Sequence, residues 1–221
     1  MRPHLLSLYQ NRLFLAFETL MMVILPVILF NREPALYRYR TIHMIIFLPY
    51  MLFVTWIMGF NKNQLGITFK NIRKSTLALI IPSFLCVLSI FLICRFFPLL
   101  FNIGVFKSLR NILSIANPLA YSLFFYSNLS APLQELIFRA YLTCRLELVS
   151  KDKNFLIVYT SIVFMLFHLP LSSFLVTIGT IFLGIMWEYN FIKFRNIFSL
   201  SLSHAIVGSI FGYHILLLSG Y

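Results

Sequence analysis

Acidic side chains are nearly missing from this chain. Its 221 residues include six Asp and Glu, and charged residues of both signs make up 11%. A soluble domain carries about 25% charged and about 45–50% apolar residues. Here hydrophobic residues reach 60%, with 25 Phe and 11 Tyr. So little charge cannot cover the surface of a soluble fold of this size, which argues against an ordinary globular domain. Cysteine is scarce too: Cys86, Cys94 and Cys144 stand without a CxxC pair. That argues against a disulfide framework or a thiolate zinc site and leaves three small buried hydrophobes. There is no internal repeat, no low-complexity tract and no soluble linker. No A-x-A-like cleavage site follows the first apolar run, which therefore reads as a first span and not as a removed signal.

What is present is a series of apolar stretches of near-membrane length. Seven can be drawn, at about 13–30, 42–60, 77–97, 112–148, 155–169, 174–189 and 197–218. Their length and hydropathy predict membrane-spanning helices. The expected fold is an all-α polytopic membrane bundle of about seven to eight spans, forming a single embedded domain over 1–221. The fourth stretch is too long for one straight span. Asn117-Pro118 and Ser130-Ala131-Pro132 punctuate it, so it is either one kinked helix or a short helix followed by a span from Pro132.

The net charge is +12. A basic chain first suggests nucleic acid. The Lys and Arg here sit mostly in short connections between apolar stretches, which fits cytoplasmic loops and anionic headgroups and not a nucleic-acid interface. With seven spans, the N-terminal side holds Arg2, Arg12, Lys62, Lys70, Arg73, Lys74, Arg145, Lys151, Lys153, Lys193 and Arg195. The other side holds Arg32, Arg38, Arg40, Arg95, Lys107 and Arg110. This bias of 11 to 6 predicts a cytoplasmic N-terminus in a cell membrane. The longest connection, 61–75, is basic with interleaved Leu65, Ile67, Phe69 and Ile72. It reads as an interfacial segment or as a plain solvated loop.

Four polar side chains interrupt the apolar stretches: Glu135, Arg139, His168 and His204. An ionisable group at membrane depth costs at least about 2.5 kcal/mol even on lenient insertion scales, so it marks a functional hypothesis. Glu135 and Arg139 are four apart and share a helix face in the favourable order for pairing. His168 ends an apolar helix just before Pro170, with Phe164 on the same face. His204 lies inside the last stretch. Each alone is compatible with a satisfied packing residue. Together they offer imidazole and carboxylate, the natural groups for activating water near neutral pH. They also offer ligands to a divalent metal such as zinc, although no cofactor is required by the pattern.

The ordered set Ala131-Pro132, Glu135, Phe138-Arg139, Ala140-Tyr141-Leu142, then Phe164 with His168, then His204, resembles the CPBP family. This is the CAAX-protease and bacteriocin-processing family of intramembrane endopeptidases, also called Abi, with the order EExxxR, FxxxH and HxxxN or HxxxD. Gly179, Gly184 and a polar-basic loop before His204 fit its spacer, and the resemblance covers about 131–211. It implies a helical membrane fold, a polar cavity opening to one leaflet and the cytoplasm, and peptide-bond hydrolysis by activated water. It further implies Glu135 as base or cavity anchor, Arg139 as its holder, and His168 and His204 positioning water or an oxyanion. Phe164 would pack the cavity wall. The implied partners are the bilayer and a membrane-associated peptide or prenylated protein. Two positions depart from the pattern. Gln134 stands where the family has its first glutamate, and Gly208 where it has Asn or Asp. These departures leave a second reading open, a catalytically silent peptide- or protein-binding member. A third is a small proton-coupled transporter, since buried Glu, Arg and His also build relays.

Overall fold

In the computed structural model, residues 3–97, 107, 111, 115, 117–171 and 173–218 are described. The described chain is helical, without strands. A short α1 (Pro3–Gln10) leads into α2 (Arg12–Arg32), whose start is capped by Asn11 accepting from the Leu13 and Phe14 amides. A 3-10 turn, Pro34–Tyr39, precedes α3 (Arg40–Met58), which ends on the left-handed Gly59. Next come α4 (Ile72–Phe96), α5 (118–146), α6 (Lys153–His168), α7 (Phe174–Phe194) and α8 (Ile197–Leu218). Six of these helices are long and apolar enough to cross a membrane. Large apolar side chains such as Leu13, Trp56 and Phe174 point outward, as lipid-facing residues do.

The fourth apolar stretch resolves into one continuous helical path over 118–146. Asn117 caps its start by accepting from the Ala120 amide at 3.0 Å. The path is not a regular α-helix. Wide π-helical turns occupy Tyr121–Ser130 and Leu136–Tyr141, on either side of the segment holding Glu135. Such turns carry one extra residue and are frequent at functional sites. Pro132 needs no break, because the Ser130–Ala131 backbone stays helical around it. Positions 112–114 and 116 of the expected stretch lie outside the described residues, as do Arg2 and Arg110.

One sequence expectation changes: Arg145 is not a loop charge. It is buried at the end of α5, where its Nε lies 2.6 Å from Glu18 Oε2 and it also donates to the Tyr9 carbonyl. Glu18 in turn accepts from Tyr50 at 2.6 Å and Tyr141 at 3.0 Å. This polar staple joins α1, α2, α3 and α5. The 61–75 connection, read as an interfacial segment or a solvated loop, is built of turns and bends over 61–71. It folds as turns onto the α7–α8 junction, with Asn196 donating to the Thr68 and Lys70 carbonyls and the Ile197 amide to Gly66. Gly66 is left-handed, and a side chain there would collide with Phe191 and the Arg195 backbone. Only glycine fits the turn that seals this end.

Hydroxyl pairs zip α4 to its neighbours: Ser75 to Asn190, Thr76 to Ser199 and Ser83 to Ser203, all within 2.9 Å. Polar contacts of this kind are a common glue between helices in lipid. At the α6–α7 crossing, Gly184 packs against Ser161 so closely that a Cβ would fall 2.9 Å from the Ser161 Cα.

Candidate active site

Glu135 and Arg139 lie one turn apart on α5, both fully buried, with Arg139 Nε 3.5 Å from Glu135 Oε2. A second carboxylate, Glu188 of α7, approaches the same nitrogen at 3.9 Å. Its other oxygen accepts from the Thr143 hydroxyl at 2.7 Å. The guanidinium covers the ring of Phe164 at 4.5 Å and that of Trp187 at 5.6 Å, and it reaches the Gly184 carbonyl. Two carboxylates thus surround one guanidinium in a buried cluster.

His204 meets Glu135 directly, Nδ1 to Oε1 at 2.6 Å. Its ring stacks on Trp187 with centroids 4.3 Å apart. The Trp187 indole is held by donating to Ser203 Oγ at 2.9 Å. On its other side, His204 Nε2 lies 3.0 Å from the hydroxyl of Tyr126. His168 is held differently. Its Nδ1 is 2.8 Å from the Phe164 carbonyl oxygen. A carbonyl only accepts, so Nδ1 carries the proton and Nε2 of the neutral ring is an acceptor. The Phe164 ring contacts both imidazoles, with centroids at 4.5 Å from His168 and 5.7 Å from His204.

A cavity of about 460 Å³ lies against these groups, within the range of about 300–1,000 Å³ usual for ligand pockets. Tyr126, Ser130, Gln134, His168 and His204 line its polar part, and leucine, isoleucine and phenylalanine side chains line most of the rest. Gly179 keeps the wall open, since nothing lies within 4 Å of where its Cβ would be. The cavity runs from Gln134 and Trp187 to Arg40, Ile93, Leu171 and Ile215, at one end of the bundle. That end is opposite the connections 59–71, 147–152 and 195–196, which carry many of the basic side chains.

The structure thus brings Glu135, Arg139, Phe164 and His204 into one cluster and places His168 against its Phe164. Glu135 does not line the cavity. It sits behind His204, which does. Gln134 lines the wall and donates to Ser130 Oγ at 3.2 Å, while its Oε1 has no partner among the described residues. Three participants escaped the sequence reading. Glu188 carried the same signal as Glu135, a lone carboxylate in an apolar stretch. Trp187 and Tyr126 were indistinguishable from other aromatic residues.

The donor set does not fit a zinc site. Both oxygens of Glu135 face His204 or Arg139, which leaves two imidazoles. No group of three or more His, Cys, Asp or Glu is placed to hold a metal among the described residues.

Residues 116–210 match the family model described as Rce1-like, type II CAAX prenyl endopeptidase Rce1-like. Neither the curated proteins nor the solved structures contain a significant match to the chain. The matched segment begins just before α5 and ends within α8, so it contains every residue of the site.

Proposed function

We propose that this membrane protein, which carries the Rce1-like segment of the CAAX endopeptidases, hydrolyses a peptide bond within the bilayer. The substrate is a membrane-associated peptide or a prenylated protein. The observation that carries this reading is that two imidazoles line one cavity with opposite equipment. His168 is pinned through Nδ1 to a carbonyl and offers an Nε2 lone pair. His204 is backed by the Glu135 carboxylate at Nδ1, and in the proposed reaction it acts as the protonated imidazole.

These states suit two different tasks. His168 Nε2 takes a proton from water as the water oxygen adds to the carbonyl carbon. Negative charge moves onto the carbonyl oxygen, where the positive end of the Glu135–His204 pair stabilises it. The intermediate collapses, the C–N bond breaks, and the proton on His168 passes to the leaving nitrogen. The amine and the new carboxylic acid leave, and His168 is again neutral. Arg139 does not touch the reacting atoms. It holds Glu135 and Glu188 in place from beneath the Phe164 ring. Gln134 is no base, and this scheme asks none of it.

The bilayer is the second partner. On this reading the N-terminus and the basic connections lie at the cytoplasmic face of a bacterial cell membrane, the side that the 11-to-6 bias in Lys and Arg favours. The alternative, a silent peptide-binding member, is favoured by Gln134 and Gly208. Incubation with an apolar peptide in proteoliposomes made with ¹⁸O-water separates the two. Hydrolysis puts one ¹⁸O into the new carboxyl group, read by mass spectrometry. Binding with intact peptide at every protein concentration supports the silent member.

A further inference from the structure

Gly208 lies one turn after His204 on α8 and has no side chain with which to complete the site. The space above it is nevertheless filled. A Cβ built at 208 would overlap the Oη, Cε1 and Cζ atoms of Tyr126, closer than real side-chain carbons come. The phenol of Tyr126, from α5, therefore occupies the volume into which a side chain at 208 would project. Its hydroxyl is 3.0 Å from His204 Nε2, and the two rings meet edge-on at 6.0 Å. Since Nδ1 is taken by Glu135 at 2.6 Å, Tyr126 is the partner on the imidazole's other nitrogen.

The backbone places this residue. Ser122, Tyr126, Ser130 and Gln134 all line the cavity and are spaced four apart. Residues four apart stand on successive turns of one helix face, so this run brings the Tyr126 hydroxyl of α5 to the space beside Gly208 of α8.

We propose that Tyr126 is a catalytic residue of this chain, supplying from α5 the donor that Gly208 cannot supply from α8. The inference rests on the endopeptidase reading above. With His204 protonated, Nε2–H donates to the Tyr126 oxygen, and the Tyr126 O–H donates to the substrate carbonyl oxygen as charge builds there. No proton is lost from tyrosine in this step. The hydroxyl transmits the positive charge of His204 across the gap.

The test is an exchange of the two positions. Tyr126→Phe removes only the hydroxyl, and kcat for peptide cleavage falls about 10²- to 10³-fold, with KM within about threefold of wild type. Gly208→Asn alone displaces the phenol and lowers kcat comparably. Tyr126→Ala combined with Gly208→Asn recovers at least about tenfold over Tyr126→Ala, because the amide now has room to donate. A purely structural tyrosine predicts no such rescue, and Tyr126→Phe with wild-type kcat overturns the proposal. The imidazole ¹⁵N signals of His204 supply a readout that needs no turnover. They shift in Tyr126→Phe if the hydroxyl bonds Nε2, and unchanged signals overturn the proposal whatever the activity. A wild-type chain that cleaves no peptide, yet shows this shift, sinks the endopeptidase reading and leaves the hydroxyl–imidazole bond standing.

Discussion

His204 Nδ1 and Glu135 Oε1 lie 2.6 Å apart, with the imidazole on the cavity wall and the carboxylate behind it. Glu135 therefore acts on substrate through His204. Glu135→Gln keeps the shape of the side chain and removes the charge. We expect kcat to fall by at least about 10³-fold. The fold should lose about 3–5 kcal/mol, because Arg139 loses its nearer carboxylate in a buried site. Peptide-cleavage rates and thermal unfolding in one detergent check both effects.

Gln134→Glu separates this account from that of an enzyme disabled by its glutamine. If the missing glutamate were the lost base, restoring it would create or greatly raise activity. In the present scheme His168 is the base, and a new carboxylate at 134 adds like charge beside buried Glu135. We expect no gain beyond about twofold in kcat/KM, and a destabilisation of about 1–3 kcal/mol.

Arg145 and Arg139 offer a contrast. Both are buried on α5, but Arg145 pairs with Glu18 in the staple that holds α1 to α3, away from the cavity. Arg145→Met should lower stability by about 3–5 kcal/mol. The folded fraction should keep kcat within about twofold of wild type. Cleavage measured well below the melting temperature, alongside the melt itself, tests this.

Much of this arrangement was legible in the chain. Hydropathy located the helices because lipid forces every backbone amide into an internal bond. Membrane depth singled out Glu135, Arg139, His168 and His204, because charge there needs a reason. Other features were hidden. Arg145 looked like a loop charge, since its partner Glu18 lies far away in sequence. The π-helical turns of α5 leave no periodicity that could be separated from an α-helix with prolines. Tyr126 became informative only once its ring was found filling the space over Gly208.

Orientation is a further test. The cavity extends toward the end of the bundle away from the basic connections. A cytoplasmic N-terminus then turns that end toward the outer leaflet, in contrast to the cytoplasmic opening implied by the family resemblance. Reporter fusions or impermeant labels at Lys62 and Lys151 should report the cytoplasm. Labelling of these sites from outside intact cells would reverse the assignment and turn the cavity end of the bundle toward the cytoplasm.

The most direct measurement is the cleavage rate of His168→Gln against wild type, in proteoliposomes with one apolar peptide. Among the described residues His168 hydrogen-bonds only the Phe164 carbonyl, so its loss leaves the Glu135–Arg139–His204 cluster assembled. The account predicts an unchanged fold and a kcat at least about 10³-fold lower. A folded His168→Gln protein that cleaves at the wild-type rate would contradict it.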